Sequence, residues 1–332
     1  MSGPPPAPGP RPRVAALDYL KAAAIVAVVF THSGASTWAP KPGWDGLLTR
    51  SWVSFHVPSF LFASGFLYAS LTPIAAGTIG RRLLRVLVPY LVASAVAVAS
   101  GAASKHGSAL AVAVASGGTL GIYYYVFLIA VLIPLVWPLS RLPRWVPVLL
   151  ALYSLAVLLW PWRFDPHLSP AWGYWAMRDP LRHFVLGYFL VGWLAAVERR
   201  RLAALLTRYP MLWLAASLAG VAVGLAFGPY GFWPRLPAQR VVYSFGVIGL
   251  VAWLARGRSP GRLALFLSEA SLGLYLFHKI VQMGAPHGWL RGVGVPGQIL
   301  ARVALGLGGA ALLLLAGRGL LGRERARRWL GA

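Results

Sequence analysis

The sequence predicts an all-α integral membrane protein with about ten transmembrane helices and both termini in the cytoplasm. Hydrophobic residues make up 58% of the chain, charged residues make up 11%, and the mean hydropathy is +0.67. A soluble protein of 332 residues needs more charged residues to cover its surface, so this composition indicates a membrane protein. The net charge of +24 then reflects arginines between apolar runs rather than a nucleic-acid partner.

Ten apolar runs follow one another along the chain, and several are close to the roughly 20 residues that a helix needs to cross a bilayer. They cover residues 14–36, 52–73, 86–101, 119–139, 145–162, 183–198, 210–228, 239–255, 263–283 and 297–318. Arginine clusters follow the second, fourth, sixth, eighth and tenth runs, and Arg11 and Arg13 precede the first. Because cytoplasmic loops carry the excess of Lys and Arg, this alternation predicts cytoplasmic termini.

The chain divides into one membrane domain between two basic ends. Residues 1–13 are rich in proline and basic, which predicts disorder. Residues 14–320 are expected to form a single ten-helix domain, and residues 321–332 a basic cytoplasmic tail. Asp18 and Lys21 interrupt the first apolar run, which argues against a cleaved signal peptide. The preference for Arg over Lys is typical of GC-rich bacterial genomes, so the expected location is a bacterial plasma membrane.

The first apolar run carries two ionisable residues on one face. Lys21 and His32 are eleven residues apart, which is roughly three helical turns, so both side chains point the same way. The rise between them is about 16 Å, half the thickness of a bilayer core. Ionisable groups inside a membrane rarely face lipid, so the pair indicates the lining of a site. Alternatively, Lys21 extends to the headgroups and His32 hydrogen-bonds to a neighbouring helix.

A polar stripe runs along the ninth apolar run. Ser271, Tyr275, His278 and Gln282 recur at steps of four, three and four, so they share one helix face. These side chains either line a site or hold neighbouring helices together by hydrogen bonds. The second interpretation is favoured for the serine and the glutamine, whereas both remain open for the histidine.

Three arginines precede the third apolar run: Arg81, Arg82 and Arg85. They either bind phosphate groups or carry the ordinary positive charge of a cytoplasmic loop. The long outward segment 163–182 is rich in Trp, Pro and charged residues. It forms either an interfacial aromatic belt, which is the favoured interpretation, or a lid or acceptor platform. The chain has no cysteine, Gly-rich phosphate loop, His–Glu metal motif or G-x-S-x-G elbow. No metal site and no cysteine nucleophile are therefore predicted.

Five sequence blocks occur in a recognisable order. They are Leu17–Lys21 leading to His32–Ser33, Val57–Phe66 with its Ser64–Gly65–Phe66 end, Arg81–Arg85 with Pro89–Tyr90, Tyr123–Leu128, and Ser271–His278. Together they resemble the acyltransferase-3 family, whose members carry such blocks on a ten-helix membrane frame. Lys21 stands where the family usually has arginine. Both are cations, but lysine cannot make a bidentate planar contact.

The resemblance implies an acyl-CoA-dependent O-acyltransferase. Such an enzyme moves an acyl group, often acetyl, from cytoplasmic acyl-CoA to a hydroxyl of a sugar or other acceptor at the membrane or its outer face. His32 would act as general base or, alternatively, as acyl carrier, and an imidazole pKa of about 6.5 suits both roles. Lys21 and Asp18 would orient the site or the thioester end of the donor. Arg82 and Arg85, supported by Arg81, would hold the CoA phosphates.

The resemblance also implies the route and the partners of the reaction. The residues expected to line the substrate passage are Ser64, Tyr124, Tyr125, Tyr275 and His278. Acyl-CoA, with acetyl-CoA as the common case, is a co-substrate, so no permanently bound cofactor is expected. The expected partners are acyl-CoA, a carbohydrate or lipid-linked acceptor and the lipid bilayer, without nucleic acid. The competing interpretations are a transporter or flippase of an anionic lipid or glycan and a non-catalytic scaffold, and the Lys21–His32 face argues against the scaffold.

Overall fold

The computed structural model describes residues 13–34, 53–69, 74–103, 108–115, 117–159, 184–232, 237–285, 289–290 and 292–332, and every regular element within them is helical. The helices are α1 (Ala15–Thr31), α2 (His56–Ala69), α3 (Ala76–Ala99), α4 (Ser108–Ala115), α5 (Tyr124–Leu139), α6 (Trp145–Leu159), α7 (Phe184–Val197), α8 (Arg199–Arg208), α9 (Pro210–Phe232), α10 (Pro237–Leu254), α11 (Arg262–Glu269), α12 (Ser271–Met283), α13 (Val295–Ala304), α14 (Ala310–Leu321) and α15 (Arg323–Leu330). A π-helical segment, Leu305–Gly309, joins α13 to α14.

Helix α1 lies at the centre of the structure, since its two halves pack in different apolar cores. Ile25 and Val28 pack in one apolar core with residues of α3, α5, α12 and α14. Leu17 and Leu20 pack in a second core with α2, α7 and α10. A third core joins α2, α5, α6 and α7. The first helix therefore connects two of the three cores, and its polar residues are held inside the bundle.

Two glycines allow α2 and α7 to approach each other at the backbone. A Cβ atom at Gly65 would lie 1.9 Å from the carbonyl oxygen of Phe189, and one at Gly192 would lie 2.0 Å from that of Phe62. Both distances are far below van der Waals contact, so only glycine fits at these positions. Small residues at a helix interface are typical of helix pairs packed within a membrane.

Two described helices are long and apolar enough to cross a membrane on their own, namely α3 and the continuous 27-residue stretch Val295–Leu321. If each of two bent helix pairs forms one span, the number among the described residues rises to four, and further apolar helices of 10–17 residues are present. These helices support a membrane protein. The total of ten spans and the cytoplasmic location of both termini stay predictions, since several apolar runs extend into residues outside the described ranges.

The structure differs from the sequence prediction at three elements. The third helix begins at Ala76 rather than near residue 86, so the three arginines lie within its first turns. The ninth run is broken into α11 and α12, which meet at an angle of 77°. The polar residues at the break explain it, because Ser268 donates to Asp18 and Ser271 donates to the backbone carbonyl of Ser268. Residues 323–330, within the expected tail, form helix α15, which packs against α3 and buries Ala326.

The bundle has two ends, named here by residues of α1. At the Arg13 end, Arg13 contacts Asp18 and Glu269, and Glu269 also contacts Arg323 of α15. At the His32 end, α1, α3 and α12 finish beside the last turn of α13. The residues that follow α1 and α3, the end of α12 and Arg302 of α13 line one pocket there. Helix α3 has 24 residues and is therefore about 36 Å long. It runs from one end of the bundle to the other.

Candidate active site

A pocket of about 470 Å³ lies at the His32 end of the bundle. Its described lining includes His32 after α1, Ser100 after α3, Lys279 and Gln282 of α12, and Arg302 of α13. The volume falls within the range of about 300–1,000 Å³ that is common for small-molecule sites. His32, predicted as the central residue of the site, is half-buried and faces this pocket. It is therefore accessible to a ligand.

A set of hydrogen bonds joins α1, α12 and α13, three of the four helices whose ends meet at the pocket. Gln282 donates from Nε2 to Ser33 Oγ at 3.0 Å and to the Arg302 carbonyl at 3.1 Å. Arg302 donates from Nη1 to the Ser33 carbonyl at 3.2 Å. The π-helical segment brings Gly306 close to Gln282, since a Cβ there would lie 2.7 Å from Nε2. The stripe residue Gln282 thus joins helices, as one sequence interpretation predicted, and it also holds the residue next to His32.

His278 packs directly behind His32. Its ring centroid lies 5.5 Å from that of His32, and the side chain is fully buried. Nδ1 lies 2.8 Å from the Tyr275 carbonyl and 3.1 Å from the Leu274 carbonyl. Because carbonyls only accept, Nδ1 carries the proton and Nε2 of the neutral ring is left as an acceptor. Nε2 has no hydrogen-bond partner among the described residues. His278 is therefore available to orient a neighbouring group.

The predicted passage residues form a connected row that reaches His278. Ser64 and Tyr125 share a side-chain hydrogen bond, and the Tyr125 ring lies 5.7 Å from the Tyr275 ring. Tyr275 in turn lies 6.3 Å from His278. Tyr275 is buried and its hydroxyl donates to the Ile122 carbonyl, whereas Tyr124 and Tyr125 are half-buried. Tyr275 therefore has a defined packing role, and the role of the row as a substrate passage stays a prediction.

The three arginines lie on α3 far from the pocket. Arg82 is half-buried, its guanidinium lies 5.0 Å from the centre of the Tyr68 ring, and the two side chains share a hydrogen bond. Arg81 and Arg85 are exposed, and Arg81 donates to Thr78 at 3.2 Å. Along α3, Arg85 is about 22 Å and Arg82 about 27 Å from Ser100 of the pocket. The structure thus separates a cationic cluster from His32 and connects the two by one helix.

Asp18 and Lys21 are held at the Arg13 end rather than beside His32. Asp18 is buried and accepts hydrogen bonds from Arg13 at 2.6 and 3.0 Å and from Ser268 at 2.6 Å. The hydrogen bonds to Asp18 and Glu269 raise the pKa of Arg13 above its ordinary value. Lys21 is half-buried and interacts electrostatically with Asp18. Lys21 and His32 lie about 16 Å apart along α1, so the described contacts of Asp18 orient the start of α1 and not the pocket.

Two residues of the pocket, Lys279 and Arg302, were not among the site residues predicted from the sequence. Both line the pocket beside His32, although 23 residues and a chain reversal separate them. The available signal for Arg302 was its position inside the apolar run 297–318, far from the arginine at the end of that run. The sequence prediction also missed Tyr68, whose contact with Arg82 depends on how α2 and α3 pack.

A comparison with protein families matches residues 14–317 to the acyltransferase-3 family, which is described as an acyltransferase domain. No curated protein and no solved structure matches the chain. The match covers nearly the whole chain, including every helix from α1 to α13 and most of α14. It confirms the resemblance drawn from the five sequence blocks and indicates a membrane acyltransferase. The chain belongs to the acyltransferase-3 family.

Proposed function

We propose that the protein transfers an acyl group, with acetyl as the first candidate, from acyl-CoA to a hydroxyl group of an acceptor bound in the His32 pocket. The observation that carries this proposal is the arrangement along α3. Its first turns carry Arg81, Arg82 and Arg85, and its far end lines the pocket that contains His32. One helix therefore connects a cluster of arginines, which suits a polyanionic donor, to a candidate base.

The donor is expected to bind at the Arg13 end. CoA is a polyanion, so its phosphates stay out of lipid and favour arginine side chains, which bind phosphate through two parallel hydrogen bonds. Arg82 is the best-placed of the three because Tyr68 holds its guanidinium. The acyl-pantetheine arm would then extend beside α3 toward His32, over the roughly 22–27 Å that separate the arginines from the pocket.

The chemical step uses His32 as a general base. The acceptor hydroxyl gives its proton to the imidazole while its oxygen attacks the thioester carbonyl. The C–S bond then breaks, and the proton passes from the imidazolium to the CoA thiolate. The products are an ester of the acceptor and free CoA. A hydroxyl is a poor nucleophile at neutral pH, so a positioned base contributes about 10²–10⁴-fold to the rate.

The test compares wild-type protein with His32→Ala and His32→Gln in nanodiscs. Release of CoA from acetyl-CoA is followed with a thiol reagent, which reacts only with the product because the chain has no cysteine. Both variants should lose about 10²–10⁴-fold in turnover and should bind acetyl-CoA as the wild type does. If the variants still bind acetyl-CoA, they are folded, and the loss of turnover is a catalytic effect.

Two results would count against the proposal. Near-normal turnover of both His32 variants would show that another group is the base. Binding of acyl-CoA without any turnover by the wild type, together with movement of an anionic lipid across a vesicle membrane, would favour the transporter interpretation instead.

A further inference from the structure

The pocket beside His32 contains two cations and no described counter-ion. Lys279 and Arg302 both line it, and its described lining includes no Asp or Glu. The two side chains are half-buried and interact electrostatically with each other. Like charges held together away from bulk water repel one another, and water screens them less than it does at an exposed surface. The arrangement therefore favours a negatively charged ligand between them.

The backbone positions of both cations are well defined, and the Arg302 side chain is also held by a hydrogen bond. Arg302 is held by its hydrogen bond to the Ser33 carbonyl, and its own carbonyl accepts from Gln282. Lys279 follows His278, whose ring is tied to the preceding helical turn. The Arg302 guanidinium therefore does not have to be ordered when a ligand binds, which lowers the entropic cost of binding.

We propose that the acceptor hydroxyl belongs to an anionic molecule, such as a sugar with a carboxylate or phosphate group, and that Lys279 and Arg302 bind its charge next to His32. This inference rests on the proposed function, because it assigns the chemistry of the acceptor. A base removes a proton only from a group within hydrogen-bonding distance. The acceptor must therefore enter the pocket that the two cations share with His32, where its charge fixes its orientation.

The test measures binding directly and does not depend on turnover. Saturation-transfer NMR is recorded on the full chain in phosphatidylcholine nanodiscs with three probes: glucuronate, glucose 6-phosphate and glucose. One or both anionic sugars should bind clearly more tightly than glucose, and the difference between them identifies carboxylate or phosphate as the preferred group. Equal affinity for all three sugars would overturn the inference.

Variants at Lys279 assign the binding to the pocket. Lys279→Gln should weaken binding of the anionic sugar on the order of 10- to 100-fold, whereas Lys279→Arg should retain it. Arg258→Gln removes one exposed positive charge at the Arg13 end and should have no effect. Unchanged affinity in Lys279→Gln, or an equal loss in Arg258→Gln, would contradict a local site.

Competition experiments separate this inference from two rivals and from the proposed function. If free CoA displaces the sugar and Lys279→Gln weakens CoA binding, the pocket binds the donor and the inference is wrong. If phosphatidylglycerol in the nanodisc displaces the sugar, the cations bind lipid headgroups and the inference is also wrong. Selective anion binding without any acyl-CoA turnover would support the pocket assignment and would count against the proposed function alone.

Discussion

Backbone carbonyls define which ring nitrogen of the buried His278 carries the proton. Two carbonyl groups accept from its Nδ1, so its Nε2 presents a lone pair inside the protein. Its ring lies 5.5 Å from His32, and it is not among the described residues that line the pocket. His278 is therefore expected to position His32 rather than to take the proton from the acceptor.

This positioning role is tested with a His278 variant that keeps the donor of the imidazole ring and loses its acceptor. His278→Asn retains a donor for the backbone carbonyls and removes the Nε2 acceptor. Turnover should fall about 2- to 10-fold, the value of one neutral hydrogen bond, while KM for acyl-CoA stays unchanged. The measurement is steady-state release of CoA beside His32→Ala. A loss as large as that of His32→Ala in a folded protein would show that His278 takes part in the proton transfer itself and does not only position His32.

Arg82 and Arg85 are predicted to bind the donor. Arg82→Ala and Arg85→Ala should each weaken acyl-CoA binding on the order of 10- to 100-fold, because each removes a charge-assisted contact to phosphate. Arg141→Ala is the matched control, since Arg141 is an exposed arginine stacked on Trp137 at 4.0 Å and belongs to another basic segment. Equal effects of all three substitutions would mean that the cluster contributes only general positive charge.

At the scale of single residues, the sequence predicted the parts of the site that lie on one helix. The step pattern placed His278 and Gln282 on one face of α12. The eleven-residue spacing pointed to His32, but its partner Lys21 lies about 16 Å away along α1 and outside the pocket. The same patterns do not predict contacts between residues of different helices. The pairing of Lys279 with Arg302, and of Arg82 with Tyr68, depends on helix packing that no local pattern encodes.

Among the elements, the π-helical segment between α13 and α14 has a specific structural effect at the pocket. Such segments often occur at functional sites. Here it brings Gly306 against Gln282 and Val29, and a Cβ atom at this glycine would lie only 2.7 and 2.9 Å from them. Gln282 in turn holds Ser33 and Arg302. The segment therefore sets the position of the side chains around His32.

A pair of substitutions in this segment tests its role. Gly306→Ala should displace Gln282 and lower turnover about tenfold or more, since small shifts of catalytic geometry are costly. Gly308→Ala is the matched control, because a Cβ there meets nothing within 4 Å. Turnover and thermal unfolding are measured for both variants. Equal turnover of the two variants would show that the close approach at Gly306 does not position the site.

The hydropathy of the sequence predicted the helices that are apolar along their whole length, but it did not predict the helices that are rich in charged residues. Helices α8 and α15 are rich in arginine, so their segments look like basic loops or a tail in a hydropathy profile. The break between α11 and α12 was hidden for the opposite reason, since both halves belong to one apolar run. Its cause is local hydrogen bonding by Ser268 and Ser271 together with the buried Asp18.

For the whole molecule, the proposed reaction requires that the two ends of the bundle face different compartments. The Arg13 end carries the predicted acyl-CoA cluster and must face the cytoplasm, where acyl-CoA is found. The His32 end holds the pocket and would face outward, so an acceptor outside the cell could be modified with a cytoplasmic donor. The alternation of arginine clusters along the sequence supports this orientation.

Orientation is tested by single cysteines in a chain that has none of its own. Arg258→Cys reports the Arg13 end, since Arg258 is exposed and the next residue accepts a hydrogen bond from Tyr19 of α1 at 3.0 Å. Val293→Cys reports the His32 end, where Val293 is 42% exposed in the segment between the pocket residue Trp289 and α13. A membrane-impermeant maleimide applied to intact cells should label Val293→Cys and should label Arg258→Cys only after permeabilisation. The reverse pattern would place the arginine cluster outside the cell, away from cytoplasmic acyl-CoA, and the donor assignment would fail with the topology even if His32 proved to be essential.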